Sequence, residues 1–433
     1  MVSKGVEMTL IYFLIVIGIL VFVHEFGHFI MAKRAGVRVE KFSLGFGPKL
    51  VGFKKGNTEY LISALPLGGY VKMAGENPDE TPTGDPGEFP SKTVWQRITI
   101  GVAGPFTNIL LAFLVMPLVF MIGVPTEGPA KVGYVEKGSA GDHAGFQAGD
   151  VIEEINGRTI NDWSMAMTLI AVNPDTDVSV RIEREGGKKT ITLRPSVATE
   201  LKIGDSGLVP DMPVEVGGLI PGEPAEKAGV EVGDKILAAN GETIYHRAQF
   251  STLVQEHHEK PIRIVLERNG KRLQKNITPI QKDNRYIIGV AWKQLGVRKY
   301  GFWESTKLGF QKTIEIIDLT LLTFKKLVTF GLSIKTLGGP VMIAQMSGQA
   351  AASGFSAFLY FLAFVSISLG ILNLIPIPVL DGGLVLFLLI EAVRKKPLQR
   401  KTMEIAQSIG AAVLITLVAV VSYNDVMRMF FSK

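Results

Sequence analysis

The sequence has no cysteine, which excludes both a disulfide framework and a thiolate metal site. Histidine is scarce too, with six in 433 residues, so a metal site would have to draw on few imidazoles and on carboxylates. No basic patch interleaved with aromatics is present, and nucleic acid is not expected as a partner. The long middle of the chain, about residues 125–354, has no uninterrupted apolar run of membrane-spanning length.

Hydrophobic residues make up 47% of the chain and gather in blocks at about 8–32, 98–124, 355–393 and 404–423. Three blocks contain runs of about 20 residues, enough to cross a hydrocarbon core of about 30 Å. The block at 355–393 is longer and is interrupted by prolines. The expected fold class is a polytopic α-helical membrane protein with four transmembrane helices, at 8–32, 95–124, 355–393 and 404–428. The first segment lacks a small-residue cleavage site and reads as a retained span rather than a removed signal. The opening MVSKGVE, residues 1–7, looks like an unrelated remnant and is assigned no function.

The net charge of +6 matters less than its placement. Residues 31–57 carry Lys33, Arg34, Arg38, Lys41, Lys49, Lys54 and Lys55 against Glu40 alone. The connector 391–403 carries Arg394, Lys395, Lys396, Arg400 and Lys401 against Glu391. By the positive-inside rule both face the cytoplasm. Four spans then put both termini and the 125–354 region on the other side, the periplasm of a bacterium, with the chain in the inner membrane.

Residues 133–195 and 217–279 form an internal repeat with a constant offset of 84. SAGDHAGFQAGDVIEEINGRTI aligns without a gap to EPAEKAGVEVGDKILAANGETI. Each copy reads as a short helix, a GD turn, a strand, an NG turn and paired strands. The pattern resembles PDZ domains of the kind common in bacterial proteases, expected at 125–210 and 211–282 as two inserted mainly-β domains. Such a groove can take an extended peptide ligand as an added strand; a spacer or steric filter is the equal alternative. His143, His246, His257 and His258 fall in this region and read as surface residues.

Residues 283–354 read as linker and amphipathic helix. Apolar positions run from Phe310 to Val328 at helical spacing, interrupted by Glu315, Asp318, Lys325 and Lys326. A helix at the membrane surface, braced against the repeats, is expected; packing on another helix is equally allowed. Between the first two spans, residues 33–94 form a cytoplasmic-side loop, with strand-like stretches too apolar to sit free in water. Residues 76–92, rich in proline and acid, read as a flexible segment.

The chemistry centres on VHEFGHF in the first span. Residues four apart share a helix face, so His24 and His28 can reach one ion, with Glu25 beside them for its water. This is the HExxH arrangement of zinc hydrolases, at a depth where ionisable groups mark function. A packing cluster of polar side chains is the bland alternative. Catalytic zinc takes a third protein ligand. The metzincin continuation is excluded, because Met31 and Arg34 stand where its glycine and histidine would be. Glu40 or Glu59 is near in sequence, but the better candidate is Asp381 in NLIPIPVLDGG, residues 373–383, at a similar depth in the third span. Pro376 and Pro378 prevent ordinary helix there, and such backbone persists in a membrane only if buried or lining a wet cavity. Asp381 suits the N-cap of the helix that resumes. A transporter-like broken helix with a structural Asp is the rival reading.

HEFGH, GVAGPFTN and NxxPxPxLDGG together resemble the site-2 protease family of intramembrane zinc metalloproteases, over nearly the whole chain. The resemblance implies a membrane-embedded zinc metalloendopeptidase, with Zn2+ held by His24, His28 and Asp381 and Glu25 as general base. Asn373 would hold substrate backbone or stabilise the oxyanion. The stretch after the first span would be a membrane-reentrant β element, with Gly68, Gly69 and Tyr70 at the edge that binds unwound substrate. The implied role is regulated intramembrane proteolysis in envelope stress signalling. The implied substrate is a single-pass membrane protein of anti-sigma-factor type, already trimmed in the periplasm, with signal-peptide remnants as others. The active site would lie toward the cytoplasm and the PDZ pair in the periplasm.

Overall fold

A run of apolar residues in a membrane has to satisfy its own backbone, and helix is the local solution. The computed structural model describes residues 2–76, 83–126, 128–198, 202–212, 214–282, 285–293 and 296–431. The chain divides into two units, one of Met1–Val124, Arg298–Val328 and Ile334–Lys433, the other of Pro125–Val297 with Thr329–Ser333.

In the first unit the order is α1 (Val2–Arg34), β1 (Val39–Lys55), β2 (Thr58–Met73), α2 (Val94–Ile122), α3 (Phe302–Val328), α4 (Pro340–Ala352), α5 (Phe355–Asn373), α6 (Asp381–Arg394) and α7 (Arg400–Phe431). Helix α1 runs through the opening residues expected to be unrelated to it. Four stretches among the described residues are long and apolar enough to cross a membrane: Glu7–Arg34, Val94–Ile122, Phe355–Asn373 and Arg400–Arg428. Ile11, Ile15, Ile19, Phe22, Phe26 and Ile30 form an exposed stripe along α1, at the three- and four-residue spacing of one helix face. Such a stripe would be costly in water and suits lipid.

Helix α2 has a capping box, in which Thr93 and Gln96 satisfy each other's backbone N–H groups at 3.3 and 3.1 Å. It is the hub of the bundle. The third apolar block breaks between α5 and α6, where Pro376 and Pro378 lie. A Cβ on Gly382 or Gly383 would overlap the carbonyls of Leu374, Ile375 or Ile377, so the two glycines let this loop fold back on the first turn of α6. Helix α3 packs along α2: Gly309 leaves room for the Pro117 backbone, the Phe113 and Phe310 rings lie 4.9 Å apart, and Ile316 is buried with Val115 and Met116. The side packed on α2 is thus that of Gly309, Thr313 and Ile316, while Phe310, Ile314, Leu321 and Val328 stay exposed. The N-terminus of α4 is capped from afar by Asp425 of α7, whose buried carboxylate accepts from the N–H groups of Gly339 and Met342 at 3.2 and 2.9 Å.

Strands β1 and β2 form an irregular sheet. Residues 39–44 pair with 69–73 and also stand opposite 59–62, while 49–55 pair with 58–63. The run 69–73 is therefore an outer strand. Of the segment expected to be flexible, residues 77–82 lie outside the described residues. The rest is tied down: Arg38 binds Asp85 at 2.6 Å, Glu88 accepts from the Thr83 hydroxyl at 2.6 Å, and Phe89 is buried. Burial of one aromatic and satisfaction of its carboxylates outweigh the polar composition there.

The second unit contains the same small fold twice. Four-stranded antiparallel sheets are built from 151–155, 158–159, 178–184 and 187–193, and again from 235–239, 242–243, 262–268 and 271–277, in the same spatial order. Every strand of the second sheet lies 84 residues after its counterpart. The interior ion pairs repeat too: Arg184 grips Asp150 at 2.6 and 2.8 Å, and Arg268 grips Asp234 at 2.7 and 2.8 Å. His143 and His258 are exposed, His246 caps the helix starting at Arg247, and His257 contacts Asn240.

Candidate metal centre

The side chains of His24 and His28 project from one face of α1, and Asp381 is the first residue of α6. The N-cap position of α6 is Leu380. The Asp381 carboxylate, expected as a cap, instead turns to the imidazoles. Nε2 of His24 lies 3.0 Å from Oδ2 of Asp381, Nε2 of His28 lies 3.5 Å from Oδ1, and the two Nε2 atoms are 3.2 Å apart. A tetrahedral zinc with bonds of about 2.0–2.1 Å spaces its ligand atoms about 3.3–3.4 Å apart. The three donors thus fit one ion. Among the described residues this is the one group of three such side chains converging on a point.

Close backbone packing makes the site possible. A Cβ on Gly104 of α2 would overlap Nε2 of His28 and stand 2.8 Å from Nε2 of His24. Opposite, Gly27 of α1 leaves room for the Ala103 carbonyl and the Thr107 hydroxyl, which reaches the Val23 carbonyl at 2.9 Å. Small residues that let helices approach this closely are how membrane bundles pack. Arg97 of α2 holds Glu391 of α6 through two bonds of 2.5 and 3.2 Å, fixing the helix that carries Asp381.

Beyond the ligands, Nδ1 of His28 donates to the Ile100 carbonyl at 2.8 Å, which leaves Nε2 free to bind metal. Asn108 of α2, fully buried, brings its side-chain amide to 3.4 Å from Nδ1 of His24. Glu25 is half-buried beside the two histidines. A Cβ on Gly69 would stand 3.1 Å from Cγ of Glu25, so the outer run of β2 lies against this carboxylate. Gly68 packs on the Phe46 ring, with which Tyr70 stacks at 6.2 Å. Asn373 ends α5, just before the proline loop. Glu40 and Glu59, the nearer acids, are engaged elsewhere, with Lys72 at 2.9 Å and Lys49 at 2.6 Å.

The family model described as Peptidase family M50 matches residues 12–417. The chain belongs to peptidase family M50. This M50 chain is 38% identical over 446 residues to a Vibrio cholerae relative carried under a provisional zinc-metalloprotease name, covering 96% of this chain and 98% of that one. It is 34% identical over 446 residues to the Regulator of sigma-E protease RseP of Salmonella typhimurium, with coverage of 96% and 98%. It is 35% identical over 449 residues to the Protease RseP of Yersinia pestis, again with 96% and 98% covered. The M50 assignment and the His–His–Asp cluster together make the chain a zinc-dependent, membrane-embedded metalloendopeptidase, a multi-pass protein of the inner membrane.

Sequence reasoning does not single out Gly104 or Asn108, although both stand in the quoted GVAGPFTN. A glycine and an asparagine four residues apart share a helix face, and that pairing is the available signal. The Ile100 carbonyl leaves no trace in side-chain sequence at all.

Proposed function

We propose that the chain cleaves peptide bonds within the transmembrane segments of single-pass membrane proteins of anti-sigma-factor type, in envelope stress signalling, with signal-peptide remnants as further substrates. The observation that carries this reading is the meeting of His24, His28 and Asp381 in a spanning bundle, with Glu25 beside them. The name of the Salmonella relative, a regulator of sigma-E protease, supports the signalling context.

His24, His28 and Asp381 hold the ion in this reading. When bound, zinc supplies Lewis acidity, acidifying water and polarising a carbonyl. Glu25 takes the proton of the attacking water and passes it to the leaving amine. Asn373 donates to the substrate carbonyl, adding to stabilisation of the developing oxyanion. A helical substrate must unwind before attack, and the outer β2 run around Gly68, Gly69 and Tyr70 offers it a strand to pair with, replacing lost helix bonds. Glycines there keep the approach open.

The two copies, offset by 84 residues, read as PDZ domains that admit or exclude substrate on the periplasmic side, either binding a peptide or blocking by size. The basic connectors support a metal centre toward the cytoplasm. The test is Glu25→Gln, assayed on a single-pass substrate in detergent with zinc measured on the same sample. Zinc should be retained and cleavage should fall by about 10²–10⁴-fold, the usual worth of a positioned acid–base group. Undiminished cleavage would sink the assignment.

A further inference from the structure

Each metal-binding imidazole has a second nitrogen whose partner decides which tautomer is held. For His28 the partner is the Ile100 carbonyl, at 2.8 Å from Nδ1. For His24 the group facing Nδ1 is the Asn108 amide, 3.4 Å away, and in the structure its nitrogen Nδ2 is on that side. Oδ1 of Asn108 is buried and has no hydrogen-bond partner. With Nε2 of His24 directed at Asp381 and the metal point, the ring proton belongs on Nδ1, so two donors would face one another. The two ends of an amide have nearly the same shape, and its direction is settled by the bonds it can make. Of the two directions, one gives His24 an acceptor.

We infer that Asn108 is a positioning residue of the metal centre: its Oδ1 accepts Nδ1–H of His24 and holds that imidazole in the tautomer whose Nε2 binds metal. The amide NH2 then takes the place of the unpartnered oxygen. The position of Asn108 is itself fixed, because its backbone carbonyl accepts the Ser366 hydroxyl of α5 at 2.7 Å. One turn earlier, Gly104 clears the space that the imidazoles fill. The two residues divide one task, room for the rings and a grip on one of them.

This inference rests on the proposed metal ligands, and its test reads zinc affinity rather than cleavage. The full chain in detergent is titrated against a competing chelator. Asn108→Leu removes the acceptor at similar volume and is expected to weaken zinc binding by about 10–100-fold. Asn108→Asp keeps an acceptor oxygen without a donor and should bind zinc close to the native chain. Native affinity in Asn108→Leu, or an equal loss in Asn108→Asp, overturns the role. Should either variant fail to fold, ¹⁵N-histidine NMR of the zinc-loaded native chain decides: Nδ1–H with metal on Nε2 of His24 is expected, and metal on Nδ1 overturns it. A native chain without zinc affinity, or one unaffected by His28→Ala, would instead refute the ligand set.

Discussion

Nε2 of His24 and Oδ2 of Asp381 stand 3.0 Å apart although they come from the first and sixth helices of the bundle. Helix α2 lies between, and it contacts both. Asp381→Asn keeps the shape of this contact and removes its charge. Zinc affinity and cleavage should fall together, as expected of a ligand. A purely structural aspartate would let both survive, so chelator competition and a cleavage assay on one preparation separate the cases.

Gly104→Ala adds a single methyl group where Nε2 of His28 now sits. One or both imidazoles must move off the metal point, and zinc affinity should drop by about 10–100-fold, the scale for a disturbed supporting shell. A methyl group on Gly18 would meet nothing within 4 Å, so Gly18→Ala serves as the neutral control. Equal zinc contents in the two variants would contradict the packing argument.

Arg97 and Glu391 are mostly buried, with 13% and 16% of their side chains exposed. Removing one partner of such a pair leaves an uncompensated charge and costs about 3–5 kcal/mol. Arg97→Leu should therefore loosen α6 and lower both stability and zinc retention. The double variant Arg97→Leu/Glu391→Leu should recover much of the stability, since no lone charge remains. Thermal unfolding in detergent measures both, and a double variant worse than the single would count against the pair.

In the repeat unit, burial raises the Asp234 carboxyl, but hydrogen bonds from Arg268 and from the Glu231 N–H outweigh it and hold the group below the ordinary aspartate range. A depressed carboxyl contributes stability that is fully present above its unfolded value, about 3.9, and is lost as pH falls through the folded value. Protection of residues 235–277 against hydrogen exchange should be flat from neutral to about pH 4 and decline below it. Arg268→Met should lower the unfolding midpoint by several degrees at neutral pH and flatten the acid decline. An unchanged acid profile in that variant would remove Arg268 as the cause.

Much of this architecture is legible in the sequence. Helical spacing puts His24 and His28 on one face, two prolines mark the break before Asp381, and the constant offset announces two copies of one fold. Other features depend on packing that local patterns do not encode. The apolar positions of α3 are plain from Phe310, Ile314 and Ile317, but nothing local says that the side packed on α2 is that of Gly309, Thr313 and Ile316, with Phe310 and Ile314 left exposed. Asp425 reads as an ordinary acid near a helix end, yet it caps a helix whose N-cap, Gly339, stands 86 positions earlier. The Asp381 side chain would suit a cap by local rules; the two imidazoles, present only in three dimensions, claim it instead.

Where Gly104 stands, the wall behind the metal point is main chain rather than side chain. Main chain cannot be varied by substitution without altering the helix itself. Variation immediately around the metal point therefore falls to side chains elsewhere, such as those of the outer run of β2 that lies against Glu25. If substrate pairs there as proposed, that short segment is where related proteases with different substrates should differ most, and where a selective inhibitor would find purchase that the metal cannot provide.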